Sequence, residues 1–115
     1  MWHTLTDCEQ PESDKITANV DVSEDSLWFS GHFPEEPILP GIAQIKIIFD
    51  LLNQFNGGNL KIEGVSRVRF KKIIRPNDKL KLVATKHKDK PKLYIFKILA
   101  EDELACSGNI TVQAK

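Results

Sequence analysis

The sequence predicts an α+β fold with one long buried helix and an antiparallel sheet. An apolar segment near the middle of the chain repeats at helical spacing and ends at a pair of glycines. The segments after it alternate apolar and polar residues, as strands do, and short turns join them. Short connections favour antiparallel pairing. The 115 residues fit a single domain spanning residues 1–115.

The predicted helix runs from about residue 41 to residue 55. Pro40 stands at its start, and Asn56-Gly57-Gly58 supplies a stop. Apolar residues cover most of its circumference, which is typical of a helix enclosed by other elements. Lys46 and Asp50 are charged exceptions within this apolar run.

Five to six strands are predicted around the helix. Residues 15–22 alternate before it, and four segments follow it: "LKIEGVSRVRFKKII", "KLKLVATKH", "KLYIFKILA" and "ACSGNITV". The sequences "RPND" and "KDKP" turn the chain between them. Residues 1–14 are polar, and we expect a loosely ordered lead-in there.

Composition narrows the class of protein. Apolar residues make up 41% of the chain and charged residues 28%, as in ordinary globular proteins. The first ten residues do not have the pattern of a secretory signal, and no segment is long enough for a membrane span. Cys8 and Cys106 are far apart and fit no metal spacing, so we expect free thiols in a reducing cytoplasm, with a single disulfide as the alternative. No set of Asp, Glu, His and Cys residues has metal-ligand spacing and no nucleotide-binding loop occurs, so we expect no metal site and no cofactor.

The net charge of zero hides a strong asymmetry along the chain. Residues 1–59 carry two Lys/Arg against ten Asp/Glu, whereas residues 60–115 carry fourteen against six. The basic residues concentrate between Lys61 and Lys92, which indicates either solvated strand faces or a surface that attracts an acidic partner. Nucleic acid is not predicted, because the basic stretch has few aromatic residues and no binding motif.

The loop before the helix carries candidate chemistry. Three prolines in "HFPEEPILP" exclude a helix and make the segment stiff. The helix that follows presents backbone N–H groups in its first turn, and Gly41 has no side chain to cover them. A carbonyl oxygen that becomes negative can be stabilised there, and His32 is a candidate general base. A structural histidine is the alternative interpretation of His32.

The same stretch resembles a known family. The pattern Gly31-His32-Phe33-Pro34, then Pro37, then Pro40-Gly41 opening an apolar helix, resembles the β-hydroxyacyl-acyl-carrier-protein dehydratases of fatty acid synthesis. The segment "VSRVRFKKIIRPNDKLKL" is similar to a strand, turn and strand of that family, so the resemblance covers roughly residues 16–113. It implies a hot-dog fold, in which a sheet wraps one central helix.

The resemblance also implies roles for individual residues. His32 would move the α-proton of a 3-hydroxyacyl thioester, and the N–H of Gly41 would hold the thioester carbonyl. Ile42, Phe33 and Gln44 complete the predicted substrate-binding set, with a structural role as the alternative for the last two. A carboxylate on the partner subunit's helix would protonate the departing hydroxyl, so the site would form only in an oligomer.

Lys46 departs from the family pattern, because Glu or Asp is expected at this position, six residues after Pro40. Three interpretations remain open. Lys46 and Asp50, at i and i+4, form an ion pair with only a structural role. Alternatively, the Lys46 ammonium donates a proton or binds an anionic part of the substrate. In the third interpretation Asp50, about 6 Å further along the helix, replaces the missing carboxylate. Lys46 and Asp50 are therefore both catalytic candidates.

The leading functional prediction is a dehydratase-like protein that acts on or binds acyl thioesters in fatty acid or related acyl-chain biosynthesis. The expected partners are an acyl carrier protein or a coenzyme A thioester, with a homodimer or a higher oligomer such as a hexamer. One alternative is a non-catalytic subunit of a hetero-oligomer that binds acyl carrier protein or acyl-CoA. Another is a hot-dog thioesterase that uses Asp50.

Overall fold

The computed structural model describes residues 3–24, 26 and 38–115. Within this part of the chain, six strands and one helix follow each other in the order β1 (Thr4–Glu12), β2 (Lys15–Asp21), α1 (Gly41–Phe55), β3 (Leu60–Phe70), β4 (Leu80–Lys86), β5 (Leu93–Ala100) and β6 (Glu103–Ala114). The predicted helix and its bounds are confirmed, as are the strands predicted on both sides of it.

The strands form one antiparallel sheet in the order β1-β2-β4-β5-β6-β3. Strands β4, β5 and β6 are consecutive neighbours because tight turns join them, whereas β3 reaches the far edge and pairs with β6. The sheet therefore has β1 at one edge and β3 at the other. An antiparallel sheet around one helix is the architecture that the resemblance implied.

The core lies between the inner face of the sheet and α1. In β5 every second residue is buried, so Tyr94, Phe96 and Ile98 face the helix. The helix in turn buries a wide apolar face against the sheet. At most 1% of each of these residues is exposed: Ala43, Ile47, Ile48, Leu51 and Leu52. Burial of apolar side chains on this scale is the main stabilising contribution to the fold. It explains why α1 has so few polar positions.

The expectation of a loosely ordered lead-in is wrong for residues 4–12. Instead of a loose lead-in, residues Thr4–Glu12 form β1, which pairs with β2 along its length with two register shifts. The strand lies at the sheet edge and is mostly exposed, so it shows no apolar alternation for a sequence pattern to detect. Its backbone pairing is a tertiary property, because the partner strand supplies it.

Within the described residues, no helix is long and apolar enough to cross a membrane. The same part of the chain contains no group of three or more His, Cys, Asp or Glu side chains that could hold a metal ion. Cys8 and Cys106 are both free thiols, as the sequence indicated.

Candidate active site at the start of the central helix

The first turn of α1 presents backbone donors. Pro40 caps the helix with an extended backbone (φ −62°, ψ 152°), and no side chain of the described residues caps it. The N–H groups of Ala43 and Gln44 both donate to the Pro40 carbonyl, at 3.1 and 3.2 Å. The N–H groups of Gly41 and Ile42 come before these bonds and have no acceptor within the helix. The positive end of the helix dipole adds to their capacity to stabilise negative charge.

A groove of about 360 Å³ lies beside this turn. Its walls are residues 38–41 and Gln44 on one side and residues 70–73 on the other. A hydrogen bond of 2.8 Å from Leu39 N–H to the Ile74 carbonyl ties the two walls together. Phe70 and Ile73 are 55% and 52% exposed, so the groove is open and largely apolar. An acyl chain is the kind of ligand that such a surface accommodates.

Gly41 lies directly against the side chain of Phe70. A Cβ atom at position 41 would lie 2.7 Å from Cζ of Phe70, well inside ordinary contact distance. The Phe70 ring therefore packs directly on the glycine backbone. Any larger residue at position 41 would push the ring aside and fill the space in front of the helix start.

Gln44 lines the groove from the buried side. Its side-chain amide donates to the Leu39 carbonyl at 3.3 Å, and only 4% of the residue is exposed. The other amide atom, Oε1, has no hydrogen-bond partner among the described residues. Buried acceptors are normally satisfied, so Gln44 marks a polar point in an otherwise apolar wall.

Lys46 and Asp50 form the ion pair that their spacing predicted. Lys46 Nζ lies 3.5 Å from Asp50 Oδ1, and it also lies 4.9 Å from the centre of the Phe49 ring. The Lys46 side chain is 50% exposed and that of Asp50 34% exposed. An exposed pair of this kind contributes only about 0.3–0.5 kcal/mol to stability.

A third residue, which the sequence analysis missed, completes this group. His3 Nε2 lies 3.0 Å from Asp50 Oδ2, and only 9% of the His3 side chain is exposed. Burial lowers the pKa of His3 below its usual value, and the nearby Lys46 lowers it further, while Asp50 acts in the opposite direction. His3 is therefore a neutral hydrogen-bond donor at physiological pH. Sequence patterns gave no sign of the contact, since 46 residues separate the two side chains.

The two groups of candidates lie on different sides of α1. Lys46 follows Gly41 by five residues, which places it about 140° around the helix axis and about 7.5 Å along it. Gly41 and Gln44 face the groove, whereas Lys46 is absent from its walls. Ile42 is also absent from the groove walls and is 80% exposed. His32 and Phe33, predicted for catalysis and substrate binding, lie outside the described residues.

Helix α1 and the sheet around it give the described part of the chain a hot-dog fold, with the Pro-Gly helix start beside an open groove. Residues 8–109 match the family described as ApeI-like, the ApeI dehydratase. The chain belongs to this family. The resemblance and the hot-dog fold predicted from the sequence are thereby confirmed, while the roles of individual residues stay predictions.

Relatives of known name support the same assignment. The chain is 32% identical over 109 residues to the 3-hydroxyacyl-acyl-carrier-protein dehydratase FabZ of Lactobacillus helveticus, covering 87% of this chain and 72% of the relative. It is 35% identical over 107 residues to the FabZ protein of Streptococcus agalactiae, covering 85% and 76%. The fold matches a chain of the dehydratase heterocomplex ApeI:P from Xenorhabdus doucetiae, with a TM-score of 0.86, 24% identity and full coverage of both chains.

Proposed function

We propose that the protein is a dehydratase that converts a 3-hydroxyacyl thioester into the 2-enoyl thioester. The observation that carries this proposal is the start of α1. There the N–H groups of Gly41 and Ile42, without acceptors in the helix, adjoin an apolar groove of about 360 Å³. Dehydration builds negative charge on the thioester oxygen when the α-proton leaves, and preorganised N–H donors stabilise such charge.

The reaction divides into three tasks. His32 takes the α-proton, and the Gly41 N–H holds the carbonyl oxygen on which the enolate charge develops. Lys46 Nζ gives a proton to the 3-hydroxyl, which leaves as water. Lys46 suits this task better than Asp50, because both Asp50 oxygens accept contacts, from His3 and from Lys46. A carboxylate that accepts on both oxygens has no proton to donate.

The complete site requires two copies of the chain. Gly41 and Lys46 lie about 140° apart around the same helix, so one chain does not bring both to one substrate. The helix side that carries Ile42 and Lys46 is exposed, at 80% for the former residue and 50% for the latter side chain. In the proposed assembly this side faces the groove of a second copy. Each site then combines the Gly41 of one chain with the Lys46 of the other.

Basic residues at the groove fit an acidic substrate carrier. Lys71 and Lys72 belong to the groove wall, and Lys72 Nζ lies 3.4 Å from Glu103. Lys71 is exposed and stands beside the path that a tethered acyl chain would follow. We propose that the substrate is carried by an acidic acyl carrier protein rather than free in solution. Attraction between opposite charges raises the association rate of such partners and is weakened by salt.

The decisive experiment follows the mass of the substrate. The protein is incubated with a 3-hydroxyacyl carrier protein, and mass spectrometry records the loss of one water. We expect turnover in the wild type, with His32→Ala and Lys46→Met both strongly impaired. Absence of turnover above the His32→Ala background would overturn the dehydratase proposal. The same spectra detect hydrolysis, since a thioesterase would release the free acid and the bare carrier.

The carrier is tested with matched substrates. We expect Lys71→Glu to raise KM for the carrier-bound substrate by about tenfold, which corresponds to 1.4 kcal/mol. The same variant should leave KM unchanged for the short pantetheine thioester, which lacks the acidic protein. Equal effects on the two substrates would contradict a carrier-docking role for Lys71.

A second candidate function follows from the Lys46–Asp50 contact. Because the ion pair occupies the only two charged positions of α1, one chain supplies no free carboxylate from this helix. The protein would then be the non-catalytic subunit of a hetero-oligomer, lending His32 and Gly41 to a partner that has Glu at the corresponding position. In that case the wild type alone is inactive, and turnover appears when such a homologue is added. Lys46→Glu should then also make the single chain active.

A further inference from the structure

The contact between His3 and Asp50 connects the start of the chain to the middle of the helix. His3 immediately precedes β1, and Asp50 lies in the third turn of α1. Asp50 accepts from His3 Nε2 at 3.0 Å through one oxygen and contacts Lys46 Nζ at 3.5 Å through the other. The three side chains form a continuous series, here called the His3–Asp50–Lys46 series.

Exposure increases along this series. The His3 side chain is 9% exposed, that of Asp50 34% and that of Lys46 50%. An isolated i, i+4 pair on a helix surface is weak and leaves a lysine many rotamers. A carboxylate that is already held by a buried donor has fewer orientations, and it restrains its second partner accordingly. The Phe49 ring, whose centre lies 4.9 Å from Lys46 Nζ, restricts the movement of the ammonium group on another side.

We infer that His3 is a positioning residue that fixes the Lys46 ammonium through the Asp50 carboxylate. The inference rests on the proposed function, in which Lys46 of one copy protonates the departing hydroxyl in the groove of the other. His3 does not touch the substrate. Its part is to keep Asp50 oriented so that Lys46 Nζ stays on the exposed side of α1, ready for a second copy.

A purely structural role for His3 makes a different prediction. Strand β1 also contacts α1 where the Gln54 amide donates to Cys8 Sγ at 3.6 Å, so the contact of His3 with Asp50 is not alone in attaching this end of the chain to the helix. If attachment were its only role, removing His3 would lower stability and leave Lys46 unaffected. The experiment must therefore measure a property of the Lys46 side chain itself, and not only the stability of the protein.

The kinetic test compares His3→Ala, His3→Gln and Lys46→Met. We expect His3→Ala to lower kcat by about tenfold, the size of losing one hydrogen bond to a charged group, with KM unchanged. The double variant His3→Ala/Lys46→Met should be no slower than Lys46→Met alone, because His3 acts only through Lys46. His3→Gln should recover most of kcat, since its amide can donate to the same carboxylate. His87→Ala is the matched control, as the His87 side chain accepts the Asp89 N–H in the loop between β4 and β5.

A second measurement works without turnover. Nuclear magnetic resonance records the exchange of the Lys46 ammonium protons, which a restrained ion pair slows. We expect faster exchange in His3→Ala, recovery in His3→Gln and no change in His87→Ala. If the wild type has no dehydratase activity, the proposed function fails, yet this measurement still decides the positioning role. Unchanged Lys46 exchange in a folded His3→Ala variant overturns the inference.

Discussion

Replacing Gly41 with alanine is the sharpest test of the helix start as the site. The new Cβ would lie 2.7 Å from Phe70 Cζ, whereas relaxed carbon contacts are about 3.5–4.0 Å, so the ring must move by about 1 Å. Phe70 is 55% exposed and can swing outward, which keeps the overpacking cost near the low end of about 1–3 kcal/mol. Alanine regains about 0.8–1.0 kcal/mol of helix propensity over glycine. We therefore expect the two contributions nearly to cancel.

The functional effect should be much larger than the effect on stability. The added methyl group fills the space in front of the first-turn donors and displaces the ring that forms one groove wall. Loss of a single oxyanion donor lowers kcat by about 10²–10³, and we expect Gly41→Ala to fall in this range. Melting should shift by less than about 5 °C, because about 1 kcal/mol corresponds to 4–8 °C in a domain of this size.

The assay is loss of water from the 3-hydroxyacyl carrier protein, with thermal denaturation measured on the same samples. Gly64→Ala is the matched control, since a Cβ there meets nothing within 4 Å. The double variant Gly41→Ala/Phe70→Leu separates two causes, because it removes the clash but keeps the methyl group in the groove. It should keep a stability close to that of the wild type and stay inactive. Wild-type turnover and substrate affinity in Gly41→Ala would refute the assignment of the site to this helix start.

Three further predictions concern stability and reactivity. Gly108→Ala should lower the free energy of unfolding by about 1–3 kcal/mol. The new Cβ would lie 3.0 Å from Cζ of Phe96, a fully buried ring that cannot swing away. A melting temperature equal to that of the wild type would contradict this prediction. Burial lowers the pKa of His3 in the folded state, so the unfolded chain binds more protons in acid. The contribution of His3 to stability is therefore complete above about pH 6.5, the ordinary pKa of histidine. It should be lost as the pH falls below that value. Urea unfolding at several pH values should show a steeper acid loss in wild type than in His3→Gln, and the reverse order would refute the sign. Burial raises the pKa of Cys106 to about 11, so a thiol reagent at pH 8 should modify Cys8 in the native protein and reach Cys106 only after unfolding; rapid native labelling of both would contradict the burial of Cys106.

The elements with a strong apolar pattern could be predicted from the sequence, whereas the polar edge strand β1 could not. Helix α1 packs most of its surface against the core, and strand β5 packs one face there, so each needs apolar residues at the spacing of its own backbone, and that spacing is visible in the sequence. Strand β1 is mostly exposed and owes its conformation to pairing with β2. A segment whose stability comes from backbone bonds to a distant strand carries little pattern of its own, which is why it was expected to be loosely ordered.

The candidate site likewise has local features that the sequence predicted and contacts between distant segments that it did not. The Pro40-Gly41 helix start and the Lys46–Asp50 pair are local in the chain, so their spacing alone predicted donors without helical acceptors and an ion pair. The role of Phe70 against Gly41 and of His3 against Asp50 depends on segments far apart in sequence. No local spacing could have placed either residue.

The sequence by itself determined the fold class, the family and the Pro40-Gly41 start of a buried helix, because hydrophobic periodicity and the fixed backbone of proline act over a few residues. Tertiary structure decided what surrounds that helix. It set the Phe70 ring on Gly41 and brought His3 to Asp50. These contacts arise only when the sheet closes around α1, since closure is what brings together segments that the chain keeps tens of residues apart.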